Sequence, residues 1–101
     1  MKYLVTLTSS KDTTPAQLEQ TAVASAQALW NLYVNDVVRE MYMREDNRGM
    51  VFVAEGASPE AVAQALATIP WVKSGLVTGE GIRMMPFRDL ATAFAAPARA
   101  A

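Results

Sequence analysis

The chain has 101 residues, 51% of them hydrophobic and 19% charged, with a net charge of -1. That supports one domain with one modest core, is too apolar for disorder, and lacks the clustered Lys and Arg that binding to nucleic acid requires. Cysteine and histidine are both absent, which excludes disulfides, Cys-built metal sites and the Ser-His-Asp and Cys-His forms of nucleophilic catalysis within this chain.

Reading from the start, Met1 and Lys2 lead directly into "KYLVTLT", where Tyr3, Val5 and Leu7 alternate with more polar neighbours as in a strand. No leader peptide is expected ahead of this strand, and no apolar stretch approaches the roughly 20 residues that span a bilayer. The expected location is cytoplasmic, with no membrane partner. "SSKDTTPAQLEQ" then supplies Thr14 as a helix N-cap, Pro15 at the first helical position and Gln17 to complete a capping box. The helix is expected to run about 20 residues, with Leu18, Ala22, Ala26, Leu29, Trp30 and Tyr33 as its apolar stripe.

Asn35 and Asp36 break that pattern, and Val37 to Arg44 reads as a second strand. The turn-rich "REDNRG" joins it to "MVFVAE" as an antiparallel hairpin. "GASPEAVAQALATIP" repeats the helix device: Ser58 caps, Pro59 opens, Val62, Leu66 and Ile69 face inward, and Pro70 ends it. "LVTGEGIRMM" alternates again as a fourth strand, in which Gly79 and Gly81 signal a bulge or a close backbone approach. Residues 1–95 are expected to form one domain, and the Ala-rich 96–101 a frayed tail.

The order β-α-β-β-α-β is that of the α+β, ferredoxin-like fold, a four-stranded antiparallel sheet with two helices on one face. The other face must meet water or a partner, and it is short of polar residues, so a homodimer packing sheet on sheet is expected. By parity along the second strand, Val38, Glu40, Tyr42 and Arg44 share one side, and Val37, Arg39, Met41 and Met43 the other. With an unbroken register, one sheet face gathers Thr6, Glu40, Tyr42, Arg44, Thr78 and Glu80.

Such a set can make a sheltered pocket: Glu40 and Glu80 as acid and base groups, Tyr42 as a phenol that donates or accepts, and Arg44 as a fork for a substrate carboxylate. The other reading is an ion pair between Glu40 and Arg44, or cross-strand partners, stitching the sheet face at a subunit contact, with Tyr42 filling space. Trp30 and Tyr33, three apart on the helix, suit either the core or a pocket wall. Met41, Met43, Met84 and Met85 suit a subunit interface, Lys73 a solvated helix end, and "GEG" has neither P-loop nor dinucleotide spacing.

The stretches "ALWNLYVNDVVREMYMREDNRGMVFVAEG", "LATIPWVKSGL" and "IRMMPF" together resemble the muconolactone isomerase-like branch of the dimeric α+β barrel proteins, over nearly all of the chain to about Phe94. That resemblance implies a subunit that pairs through its sheet and assembles further. It also implies an isomerase, free of cofactor and metal, that shifts a double bond in a small carboxylate-bearing lactone or related cyclic compound. In this role Glu40 is the base, Tyr42 the donor to the developing oxyanion, and Arg44 or Arg39 the carboxylate anchor, with Trp30, Tyr33 and Glu80 lining the substrate site. The same barrel also carries cofactor-free monooxygenases and cyclases, haem-handling enzymes and ligand-sensing domains. The absent histidine argues against imidazole-ligated haem, while a non-catalytic dimeric binding or accessory protein remains the alternative.

Overall fold

A computed structural model describes residues 1–95. The tail 96–101 lies outside the described residues. In chain order the elements are β1 (Lys2–Ser9), α1 (Pro15–Gln20), α2 (Ala22–Val34), β2 (Val38–Met43), β3 (Gly49–Glu55), α3 (Pro59–Leu66), α4 (Pro70–Lys73), β4 (Val77–Met84) and α5 (Thr92–Ala95). The strands form one sheet in the order β2-β3-β1-β4, every neighbouring pair antiparallel, which is the ferredoxin-like α+β arrangement.

One sheet face is covered. Tyr3, Val5 and Leu7 of β1 and Phe52 and Ala54 of β3 point to it and are almost fully buried, packed with Leu29 and Leu32 of α2, Val62 and Leu66 of α3, and Ile69. These alternate with Leu4, Thr6, Thr8, Val51 and Val53 on the uncovered face, the period of two that a half-buried strand imposes.

The first helix is two helices. Thr14 caps α1 with the reciprocal Gln17 contacts that its sequence announces, but the helix opens at Thr21. At the break the Trp71 indole N–H donates to the Leu18 carbonyl at 2.8 Å, the acceptor that a continuous helix would offer to the Ala22 N–H. After the break the buried face is Ser25, Leu29 and Leu32. The stripe expected from spacing is therefore rotated: Trp30 and Tyr33 are exposed rather than core.

Pro70, expected to end a helix, also begins one. The single turn of α4 starts at Pro70, and the fully buried Ser25 hydroxyl accepts the Trp71 backbone N–H at 3.3 Å. At the end of α2, Asp36 takes a left-handed conformation (φ 61°), and the N–H groups of Asp36 and Val37 reach back to Tyr33 and Leu32. This is a Schellman closure made without glycine.

The expected irregularity in β4 is found in β2 instead. Through Gly79 and Gly81 the pairing of β4 with β1 is unbroken, and the glycine signal is a close approach, because a β-carbon on Gly79 would lie 2.9 Å from Leu7 Cδ2. In β2, Val38 pairs with Ala54 and Glu40 with the adjacent Val53, so Arg39 is an extra residue. Parity along β2 accordingly fails at one residue. Val38 is fully buried on the covered side, whereas Glu40 and Tyr42 keep the uncovered one.

The β2–β3 hairpin closes tightly on β1 at Gly49, where any β-carbon would overlap the Leu7 carbonyl oxygen. Gly49→Ala should destabilise the fold by about 2–3 kcal/mol, seen as a fall in Tm of roughly 10 °C or more by circular dichroism. Trp71→Phe keeps an aromatic ring but removes the donor to Leu18 and part of the packed indole; it should cost about 1–3 kcal/mol, read from the urea midpoint.

Candidate functional site

On the uncovered face, β2 carries Glu40 and Tyr42 two residues apart, so their side chains stand on one side. The Tyr42 hydroxyl donates to Glu40 Oε1 at 2.6 Å, within the short range of a hydrogen bond to a charged acceptor. That hydrogen bond first, then the Glu40 charge and a small desolvation, push the Tyr42 phenol above its ordinary pKa. The phenol is thus held as a donor.

Arg44 follows where β2 leaves the sheet for the hairpin. Its Nη1 donates to Thr8 Oγ1 of β1 at 3.3 Å, and its Nη2 pairs with Asp46. Asp46 in turn accepts the Arg48 backbone N–H at 3.0 Å. This bond lowers the Asp46 pKa most; desolvation opposes it, and Arg44 and Arg48 add to the lowering. The guanidinium is thereby drawn across the hairpin end of the sheet toward β1, and Glu40 is partnered by Tyr42 rather than by Arg44. Among the described residues of the single chain, no ion pair joins Glu40 to Arg44.

Other expected members stand apart. Glu80 is on the same face, in the row that runs Tyr42, Val51, Thr6, Glu80. It lies at the opposite sheet edge, three strand spacings or about 14 Å from Tyr42. Arg39, displaced by the bulge, pairs with Asp36 at 3.3 Å, and both are exposed. Trp30 and Tyr33 stack on each other with ring centroids 5.8 Å apart, on α2, which covers the other face of the sheet. A single chain therefore gathers Glu40, Tyr42 and Arg44, and leaves Arg39, Trp30, Tyr33 and Glu80 elsewhere.

The sheltered pocket expected around Glu40 is not enclosed by one chain, since Glu40 and Tyr42 are both exposed. Lys73 is exposed at the end of α4. Among the described residues no group of three or more His, Cys, Asp or Glu side chains could hold a metal ion, and no helix is long and apolar enough to cross a membrane.

The residue reading missed two features. Asp46 and Thr8 orient Arg44, and the only hint was the Arg44-x-Asp46 spacing in the turn. An apolar groove of about 250 Å³ lies on the covered side between α3 and β4, with Val5, Leu7, Val62 and Leu66 among its walls. Its signal was the Gly79-x-Gly81 spacing, which strips two consecutive positions from the same face of one strand.

No family model matches the sequence, and no curated protein matches it. Among solved structures, the chain is similar to muconolactone isomerase, with a TM-score of 0.70, 18% identity and coverage of 87% of this chain and 92% of that one. It is also similar to the 5-chloro-2-hydroxyhydroquinone dehydrochlorinase TftG of Burkholderia phenoliruptrix AC1100, in complex with 2,5-dihydroxybenzoquinone, with a TM-score of 0.68, 16% identity and coverage of 84% and 94%. At these identities the likeness is one of fold, and it agrees with the fold that the sequence resemblance implied.

The Tyr42 shift has a checkable sign. With its pKa raised, the protonated phenol is the form the folded chain favours; its bond to Glu40 is present below the ordinary value of 10.0 and is lost as pH rises through the raised value. In a titration of phenolate absorbance, Glu40→Gln should move one tyrosine to lower pH and leave the others in place.

Proposed function

We propose that the chain is a cofactor-independent proton-transfer isomerase acting on a small cyclic compound that bears a carboxylate, an unsaturated lactone being the best fit. The observation that carries this reading is the 2.6 Å bond from the Tyr42 hydroxyl to the Glu40 carboxylate, on the face over which Arg44 is held. Support comes also from the fold neighbours, an isomerase of a lactone and a dehydrochlorinase of a substituted ring.

In the proposed reaction, the substrate carboxylate meets the outer edge of the Arg44 guanidinium, which remains able to donate beyond its bonds to Thr8 and Asp46. Glu40, through Oε2, removes a proton from the carbon next to the conjugated lactone carbonyl, and the C–H electron pair enters a dienolate. Neutralising Glu40 weakens it as an acceptor, so the Tyr42 hydroxyl is freed to donate to the enolate oxygen. The carboxylic acid then returns its proton to a more distant carbon of the conjugated frame. Base and phenol are regenerated, and no electron acceptor is consumed.

The site needs a roof. We propose that a second copy supplies it by packing its uncovered face on this one, about 10 Å away. Leu4, Val51, Val53 and Ile82 on that face, with Ile82 66% exposed, provide apolar surface for the pairing. A non-catalytic pair that binds a small ligand is the second reading. It is favoured by the exposure of Glu40 and Tyr42 in the single chain.

Turnover of a panel of unsaturated lactone acids decides between them. Glu40→Gln should lower kcat by about 10²–10⁴-fold, and Arg44→Gln should raise KM with little change in kcat. Activity untouched by Glu40→Gln would remove the proposed base. Binding without turnover by the native chain would favour the ligand-binding pair.

A further inference from the structure

Glu80 stands on the uncovered face of the edge strand β4, and it is exposed. No ion pair among the described residues includes it. The cross-strand registers set it in one row with Tyr42, as Tyr42, Val51, Thr6, Glu80, and the next row runs Glu40, Val53, Leu4, Ile82. The β2 edge thus carries an acid, a phenol and, at its end, a guanidinium, whereas the β4 edge carries one acid between Thr78 and Ile82. Within one chain the width of the sheet, about 14 Å, keeps Glu80 out of the site.

Two copies that pack these faces in line are related by a two-fold axis lying between the sheets, and it runs either across the strands or along them. Across the strands, β2 lies on β2 and β4 on β4. One dried edge then receives both guanidinium groups and both phenols, while the other receives two Glu80 carboxylates and neither. Drying a carboxylate away from its donors is the costly arrangement. Along the strands, β4 of each copy lies on β2 of the other, and every dried edge holds two carboxylates with one phenol and one guanidinium. Rotation about that axis leaves a residue's position along the strand unchanged. The row of Tyr42 is therefore also the row of the partner's Glu80, to within the shift of about one residue that an angle of about 30° between the sheets gives at their edges. By the same operation the partner's Ile82 lies over Glu40.

We infer that the axis runs along the strands and that the partner's Glu80 completes the site, standing across the gap from Tyr42 as the residue that restricts the substrate to one carboxylate. That carboxylate takes the Arg44 guanidinium. A second one meets the partner's Glu80 with no cation but Arg44 at that edge, and in a gap about 10 Å wide the repulsion is poorly screened. An unfavourable charge placed against the wrong ligand separates close analogues that attraction alone does not. The selecting role deepens the isomerase reading and rests on it, whereas the placement of Glu80 rests on the sheet pairing alone.

Because the chain has no cysteine, introduced thiols test the placement independently of activity. Tyr42→Cys and Glu80→Cys chains, each substituted at an exposed strand position, are refolded together and treated with a short bis-maleimide that spans the gap between the sheets. A linked species of twice the chain mass, formed in the mixture and from neither variant alone, is expected. Linkage of Tyr42→Cys chains to one another would place the axis across the strands and overturn the inference, and no linkage in the mixture would overturn it as well. Selectivity is read as the ratio of kcat/KM for an unsaturated lactone with one carboxylate to that for the same lactone with two. Glu80→Gln should lower this ratio on the order of 10-fold. Refolded with a large excess of Glu40→Gln chains, each Glu80→Gln chain contributes the intact base and receives an intact Glu80, so the native ratio should return. A ratio untouched by Glu80→Gln would overturn the selecting role, and a ratio still lowered in the mixture would overturn its action across the pair. A native chain inert toward every lactone would defeat the isomerase reading and the selecting role together, while the cross-link would still decide where Glu80 stands.

Discussion

Everything in this molecule follows from a four-stranded sheet with helices on one side only. Tyr3, Val5, Leu7, Phe52 and Ala54 must be apolar because α2 and α3 exclude water from them, and the period of two then gives the alternate positions to the other face whatever their chemistry. On β1 and β3 those positions are Leu4, Thr6, Val51 and Val53; on β2 they are Glu40 and Tyr42. The sheet thus displays an acid and a phenol beside an apolar centre, a combination that neither bulk water nor a purely apolar partner satisfies.

One residue decides where that acid points. Had β2 run without interruption, Val38 and Glu40 would share a side, and burying Val38 against Ala54 would have buried Glu40 as well. The bulge at Arg39 separates them, so the strand contributes Val38 to the core and Glu40 to the open face. The fold and the grouping of Glu40, Tyr42 and Arg44 were legible from alternation and turn residues. The bulge was not, because nothing local distinguishes an Arg that faces solvent from an Arg that is an extra residue. The glycines in β4 mark a close approach and not a bulge, admitting Leu7 and opening a groove.

The helices teach a similar lesson. Apolar residues occupy so many positions between Ala22 and Val34 that spacing alone permits several stripes, and the choice among them depends on where the helix is broken. Trp71, some fifty residues downstream, makes that choice by capturing the Leu18 carbonyl. Ser25 then turns inward to meet the Trp71 backbone N–H, and Trp30 and Tyr33 turn out. A long-range hydrogen bond therefore sets a local helix phase, which no window of sequence can report. Thr14, Ser58 and the two prolines behind them were readable because a cap is satisfied within three residues of itself.

The open face also bears on the proposed chemistry. In water a carboxylate and a phenol lose little by parting, since each finds solvent partners of similar strength. In the proposed pair, with a second apolar face about 10 Å away, those alternatives would vanish, and the 2.6 Å bond between Tyr42 and Glu40 would keep the acid partnered when dry. A carboxylate so placed is close to the condition a proton-abstracting base requires, poorly solvated yet not neutralised by a cation, because Arg44 is engaged by Asp46 and Thr8. The exclusion of water is thus a chemical requirement of the proposed site as well as a packing one.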